Sequence, residues 1–561
     1  MCRQWLFVGL LGITALILYS DFTSTVFFVS IESPMFYWIP LEYWTAVVAT
    51  LGISGYVLLS SKSSNFDYLV LFMLQAALFI APQFMLPSAR VNDTYDFEYL
   101  VNYITQPSLY NQTSYPLHNY LVNWPGFFTL VASLQSVTGV SHNIMIRLIL
   151  IIGQVTILLL SISLGRLLFK SLKGGVLTGF VTVALGWDVW STGSPVLLGS
   201  VFLILSVVIL ATTARRQTRL LLLSIVFAAT TITHGLTPVV LLPVLGSTYL
   251  VDLFLPNLSK VADVSPGSKI PMSRAMFSEV ALRVDNYALL VGITIFGVWI
   301  LLQPSAINIA NLLTEFRFIF KAGTTPLTYQ LGYLTSFRFD VLLLAAIYLL
   351  VLVVWTVATF SLALKFKLPI GLKPIVAVIV GATVLYLFAP IRENFYDRFF
   401  QNMFPFLALF LVTVMIRLRG KWKILSVSFM VLLLVLGFLV YYSNESVQAY
   451  PRSETLGDLY LVTYSPSQAL VADFTPGPYP ESLANAPSVI NGFSLTPDAG
   501  VLVLGLNQSS IIVNSKLVLN GLSYYIGSAS ILERYIALSS LNKVYSSAAY
   551  DIYTKVIPVA N

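Results

Sequence analysis

The chain is poor in most of what a soluble enzyme uses for chemistry. It has one cysteine, Cys2, and three histidines in 561 residues. An intrachain disulfide, a cysteine-rich zinc site and an iron-sulfur cluster are therefore excluded. There is no Walker loop, dinucleotide glycine fingerprint, HExxH, CxxC or nucleophile elbow, so nucleotide-driven pumping and zinc proteolysis lack their motifs. Only 10% of residues are charged, too few to cover a water-soluble globule of this size. No internal repeat argues for an inverted-repeat transporter.

What is abundant is apolar sequence: 57% hydrophobic residues and a mean hydropathy of +0.83. Apolar runs near the length needed to cross a bilayer begin near Trp5, Leu41, Asp67, Asn143, Gly174, Val196, Arg219, Thr237, Tyr287, Val341, Pro374, Phe399 and Ile424. The composition predicts an all-α polytopic membrane bundle of about thirteen transmembrane helices. Trp5 to Ser20 follows Arg3 without a small-residue cleavage pattern and reads as a retained first helix.

Charge orients the spans. With the amino terminus inside, nineteen of the thirty-one Lys and Arg residues fall on internal loops and seven on the external side of the membrane region. That is a strong positive-inside bias. The net charge of +7 thus reads as a topology signal rather than a nucleic-acid footprint. One apolar run, Trp124 to Val140, would invert every later loop if it crossed. It is expected as an amphipathic helix on the outer surface, its tryptophan at headgroup level. A second external excursion, with a helix around Asn308 to Lys321, is expected between Pro304 and Phe337.

After Tyr442 the composition turns to Ser, Pro, Gly and Asn with short β-branched runs. This divides the chain into a membrane domain, 1–442, with an external loop at 87–142, and a C-terminal extracellular α/β domain, 443–561. Strands are expected at Val501 to Leu506, Ile511 to Leu519 and Val544 to Tyr553, and a helix at Ser528 to Leu541. Asn-linked sequons at Asn92, Asn111, Asn444 and Asn507 fall outside by this topology, and the one at Asn257 inside. The protein is expected in the plasma membrane with a cytoplasmic amino terminus.

The acids and histidines gather opposite the bases, so any reaction site faces out. The densest cluster, Asn92-Asp93-Thr94-Tyr95-Asp96-Phe97-Glu98, follows the third span. On a helical turn Asp93 and Asp96 share a face, where one can activate a hydroxyl while the other orients it or binds a divalent cation. The same acids also suit a solvated helix start. Asp188 stands between Trp187 and Trp190 in an external turn, as a second acid or as part of an aromatic belt. His234, in Thr233-His234-Gly235-Leu236-Thr237-Pro238, reads either as a helix C-cap or as a donor to a phosphate or sugar oxygen. Arg392 and Arg398, with Glu393 and Asp397, lie in the connection Ile391 to Arg398. They can clamp a lipid-borne phosphate or snorkel as paired anchors.

Asp93-x-x-Asp96 after a span, then Tyr115-Pro116, Trp124-Pro125-Gly126-Phe127-Phe128, Thr233-His234-Gly235-Leu236-Thr237-Pro238 and Arg398-Phe399-Phe400, resembles the GT-C type membrane glycosyltransferases of archaea and bacteria. The chain differs in having two spans ahead of the matching loop and no WWDYG signature. The resemblance implies transfer of a sugar from a polyprenyl-phosphate-linked donor to a glycan, lipid or protein acceptor on the outer face. It makes Asp93 the base or metal-positioning acid, with Asp96 second and Asp188 the acid of the next external turn. Mg2+ or Mn2+ on Asp93 and Asp188 is the implied cofactor, and His234, Arg392 and Arg398 are the substrate-binding residues. The rival expectations are a non-catalytic subunit of a cell-surface assembly and a lipid or polysaccharide transporter, which should show a polar path through the bundle.

Overall fold

The computed structural model describes residues 65–80, 93–105, 123–186, 194–212, 214–254, 286–302, 393–418 and 420–443, residue 121, single positions within 45–57 and 343–361, and the strands named below. The expected first span, the Pro374 span, the Pro304 to Phe337 excursion and Asp188 lie outside them. The described helices are α1 (Asn65–Ile80), α2 (Asp93–Thr105), α3 (Gly126–Thr138), α4 (His142–Phe169), α5 (Leu172–Gly186), α6 (Pro195–Ala211), α7 (Arg216–Thr233), α8 (Leu236–Phe254), α9 (Asn286–Leu302), α10 (Glu393–Arg417) and α11 (Lys421–Ser443).

These helices start and stop where local chemistry says they should. Ser194 is the N-cap of α6, with Pro195 preformed in the first turn. α3 ends at Gly139, whose φ of 68° needs no β-carbon and whose N–H closes on the Gln135 carbonyl. α4 ends at Lys170, and the Ser171 hydroxyl then accepts the N–H of Gly174 at 2.9 Å to open α5. The expected α10 start needs correction. Its helix opens at Glu393 rather than Phe399, because no breaker interrupts 393–399 and an acid in the first turn suits the helix dipole. The connection read as a loop up to Arg398 is therefore largely helical.

The helix Ile144–Phe169 is long and apolar enough to cross a membrane by length and composition. Around it the packing has the character of membrane helices. α4 and α5 approach closely because α5 presents glycines: a β-carbon on Gly175 would stand 2.6 Å from the Ile162 carbonyl oxygen, and one on Gly179 2.6 Å from Ile162 Cγ1. α10 is the central helix, buried almost continuously from Asn402 to Met415 with Phe406 at its middle. The periphery is apolar and bare: Leu301 and Leu302 of α9 are each 71% exposed. Such a surface is stable facing lipid chains, where water would oppose it.

Arg216, at the start of α7, lies 4.4 Å from the Tyr287 ring at the start of α9. The opposite end gathers the Trp124 segment and the His234 turn.

Beyond residue 470 the strands are β1 (Leu470–Asp473), β2 (Ser488–Asn491), β3 (Val501–Gly505), β4 (Lys516–Leu519), β5 (Leu522–Tyr525), β6 (Leu541–Ser546) and β7 (Tyr550–Lys555). They form a five-stranded sheet of order β2-β1-β3-β7-β6 and a separate β4-β5 hairpin. β1 is parallel to both β2 and β3, whereas β7 runs antiparallel to β3 and β6. The expected single strand Val544 to Tyr553 is thus two strands folded back, with Ser546 opposite Asp551, since a run through Ser546-Ser547-Ala548-Ala549 lacks the side chains that hold a continuous strand. The helix expected at Ser528 to Leu541 lies outside the described residues except for Leu541, which opens β6.

Candidate functional site

The acidic cluster is helical from its first carboxylate. Asp93 opens α2, and Asp96 is in its first turn. Phe97, Leu100 and Val101 form one stripe by helical spacing, and that stripe is the docking face. Leu100 and Val101 are fully buried in a cluster with Leu121, Phe127, Phe128, Val131, Ala132, Met145 and Ile146. Phe97 is half-buried and meets Phe127 and Phe128 edge-on, with centroid separations of 6.0 and 5.5 Å. Phe127 and Phe128 are themselves edge-on at 5.5 Å. This aromatic triad sets the position of α2 on α3, and with it the position of the acidic turn.

α3 is in turn fixed to the bundle through its first residues. A β-carbon on Gly235 would lie 2.8 Å from the Trp124 indole Nε1, so the ring rests on the backbone of the His234-Gly235 turn. Gly126 sits equally close to Thr233, whose Oγ1 would be 2.9 Å from an added β-carbon. The tryptophan expected at headgroup level is therefore half-buried against protein, because the glycine opposite leaves room for a flat ring.

The His234 turn is buried and internally bonded. His234 caps the carboxyl end of α7, its N–H reaching the Thr230 carbonyl. The side chain has 1% of its surface exposed, and Nδ1 lies 2.8 Å from Oγ1 of the fully buried Thr237. Gly199 of α6 packs beneath: a β-carbon there would stand 3.1 Å from His234 Cβ. On the neighbouring position of α6, the Ser200 hydroxyl donates to Asn402 Oδ1 at 3.4 Å, both side chains being buried. Consecutive residues of α6 thus tie the His234 turn to the central helix α10. Arg398 stands one helical turn before Asn402 on α10. Pro405, also within α10, has no N–H for the Gln401 carbonyl, which leaves that acceptor to other partners beside Asn402.

One chain of contacts thus runs from α2 through α3 and the Trp124 segment to the His234 turn, and from there through α6 to Asn402 of α10. Arg392 and Asp188 lie outside the described residues. Among the described residues no group of three His, Cys, Asp or Glu side chains stands where it could share a metal ion. Ser200, Thr237 and Asn402 escaped the sequence reading. Asn402 carried the available signal, an amide inside an otherwise apolar run.

The fold these elements define is GT-C-like. It is similar to that of ArnT from Cupriavidus metallidurans bound to undecaprenyl phosphate, with a TM-score of 0.52 and 11% sequence identity over 89% of this chain and 100% of that one. A second, weaker likeness is to the archaeal oligosaccharyltransferase AglB from Archaeoglobus fulgidus in complex with an inhibitory peptide and a dolichol-phosphate, with a TM-score of 0.48 and 11% identity over 80% of this chain and 70% of that one. At these identities the likeness is one of fold. No protein-family model and no curated protein sequence matches the chain.

Proposed function

We propose that the protein is a membrane glycosyltransferase that moves a sugar from a polyprenyl-phosphate-linked donor to an acceptor on the outer face of the membrane, with Asp93 as the general base. The observation that supports this reading is the docking of α2, the helix that Asp93 opens, by Phe97, Leu100 and Val101 in a GT-C-like fold. ArnT, which shares that fold, is a structure with undecaprenyl phosphate bound.

The carrier's isoprenoid tail stays in lipid between the helices while Arg392 and Arg398 hold the phosphate through paired guanidinium donors. His234, being buried, acts from the wall by fixing the turn behind the site. Asp93 takes the proton of the acceptor hydroxyl as that oxygen attacks the anomeric carbon. The bond from the anomeric carbon to the phosphate oxygen breaks, and its electron pair leaves with the phosphate. Phosphate is a good leaving group, so positioning and charge stabilisation carry most of the rate, and the base adds about 10²- to 10⁴-fold. Asp96 orients the acceptor or Asp93. An all-oxygen donor set from Asp93 and Asp188 suits a hard divalent ion such as Mg2+ or Mn2+, which would neutralise charge on the phosphate. Residues 1–442 form the membrane domain and 443–561 an extracellular domain, with the amino terminus in the cytoplasm.

The test is Asp93→Asn in purified, folded protein assayed for sugar transfer from a polyprenyl-phosphate donor. Transfer is expected to fall about 10²- to 10⁴-fold. Unchanged turnover removes Asp93 as the base, and no transfer by the parent protein with any such donor favours the non-catalytic subunit.

A further inference from the structure

The buried hydroxyls of the bundle share one habit, with two exceptions. Thr178, Ser206, Thr230, Thr231, Thr233 and Thr413 each donate to the carbonyl four residues back in their own helix, the local bond open to a hydroxyl where bulk water does not reach. Among the described residues, only the hydroxyls of Ser161 and Thr182 are buried without a hydrogen-bond partner. Their side chains are 1% and 0% exposed.

Both belong to the seam between α4 and α5. Gly179 of α5 packs on α4, an added β-carbon standing 3.0 Å from Leu158 Cδ1 and 2.6 Å from Ile162 Cγ1, and Gly165 of α4 packs on the Thr178 hydroxyl. These contacts fix the faces that the two helices turn to each other and the antiparallel register between them. With 165 against 178, one turn further along the seam sets 161 against 182, because the fourth residue on each helix returns to the same face. α4 carries the span Ile144–Phe169, and Ser161 lies about 12 Å inside its Phe169 end at about 1.5 Å per residue. The two hydroxyls therefore oppose each other at hydrocarbon depth, where an unmet polar group is costly.

The two make no bond to each other, so a third group has to bridge them. Water is the smallest that can, since it accepts from one hydroxyl while donating to the other and spends its remaining bonds on second lone pairs of helix carbonyls. An ion fits worse. Both helices run unbroken through the seam, so their carbonyls are engaged, and neither 154–165 nor 174–186 holds an Asp or Glu to offset a charge.

We propose that Ser161 and Thr182 hold an ordered water between α4 and α5 in the interior of the membrane domain. The glycine contacts at 165, 175 and 179 close the seam on one side of it, and the water ties the helices together beyond them. The site does not depend on the glycosyl-transfer reading.

X-ray radiolysis of the full-length protein in nanodiscs, read by mass spectrometry, tests this, because it oxidises side chains beside bound water whether or not they reach bulk solvent. Leu158 packs on Gly179 within a turn of both hydroxyls and is 0% exposed; it should be labelled in the parent protein, while the equally buried Leu411 and Leu433 should not. S161A/T182V should lose the Leu158 label. No label in the parent, or equal labels on all three leucines, overturns the water; a label that persists in the double variant overturns these residues as its site. Replacing sodium and potassium by choline should change nothing, and a label that depends on the small cations overturns water alone as the occupant. Melting temperatures give an independent reading. Ser161→Ala and Thr182→Val should each lower it by orphaning the other hydroxyl, and the double variant should melt no lower than the less stable single. Losses that add, or singles that melt like the parent, overturn the bridge. If the double variant does not fold, the singles take its place in radiolysis, each expected to lose the Leu158 label.

Discussion

Phe97→Ala isolates the contact that positions the acidic turn. Phe97 touches α3 through two edge-on ring pairs, to Phe127 at 6.0 Å and Phe128 at 5.5 Å. At about 0.5–1.5 kcal/mol for each aromatic pair, their loss weakens the docking of α2 by about 1–3 kcal/mol. Leu100 and Val101 remain buried, so α2 should stay helical while opening more often. Amide exchange across residues 93–105 should therefore accelerate by a factor of about 5 to 150, since about 1.4 kcal/mol is tenfold. The α5 and α10 amides lie outside the cluster that Phe97 joins and should keep their protection. Hydrogen exchange read by mass spectrometry on protein in nanodiscs distinguishes the two regions. If α2 exchanges as in the parent protein, the rings do not hold it. If all helices accelerate together, α2 is no separate unit, and the account of how Asp93 is placed fails.

Three further outcomes follow from other contacts. Gly235→Ala drives a β-carbon into the Trp124 ring, which should cost about 1–3 kcal/mol, shift the tryptophan emission and lower transfer activity. Gly246→Ala, with nothing within 4 Å of its β-carbon, is the silent control, and equal effects at both positions would refute the docking. Asn402→Leu removes the acceptor for Ser200 inside the bundle and should lower stability by about 1–3 kcal/mol, with Ser200→Ala in the same background restoring part of it; no restoration would show that the bond is not what matters. The Lys173 amine, held at about 8 against an ordinary 10.5, means the unfolded chain binds more protons between those pH values. Stability should then rise with pH from about 8 to 10.5, and less steeply in Lys423→Gln, where burial of Lys173 remains; melting curves across that window check the sign.

A good part of the fold was legible in sequence because lipid imposes one rule on every segment. Apolar length placed α1, α4 through α9 and α11 within a few residues of their observed starts. Local chemistry did less well where it competed with patterning. The α10 start was read too late because Arg398 and Asp397 look like a loop, although nothing there breaks a helix. The β6–β7 fold-back was missed for want of a strong turn signal. The β4–β5 hairpin has one, Asn520-Gly521 between Leu519 and Leu522, and the sequence reading, which expected a lone strand at Ile511 to Leu519, passed over it.

By itself, then, the sequence pointed to a membrane protein of many apolar helices and raised the expectation that acids and histidines collect opposite the bases. Those properties follow from one-dimensional patterns of hydropathy and charge, which the bilayer reads residue by residue. Only the tertiary structure decided that Trp124 lies on Gly235 and that Gly199 and Ser200 join the His234 turn to Asn402. Each of these is a close approach between segments far apart in the chain, permitted by the absence of a side chain or by a single hydrogen bond, and no periodicity along the sequence encodes which partner will be found there.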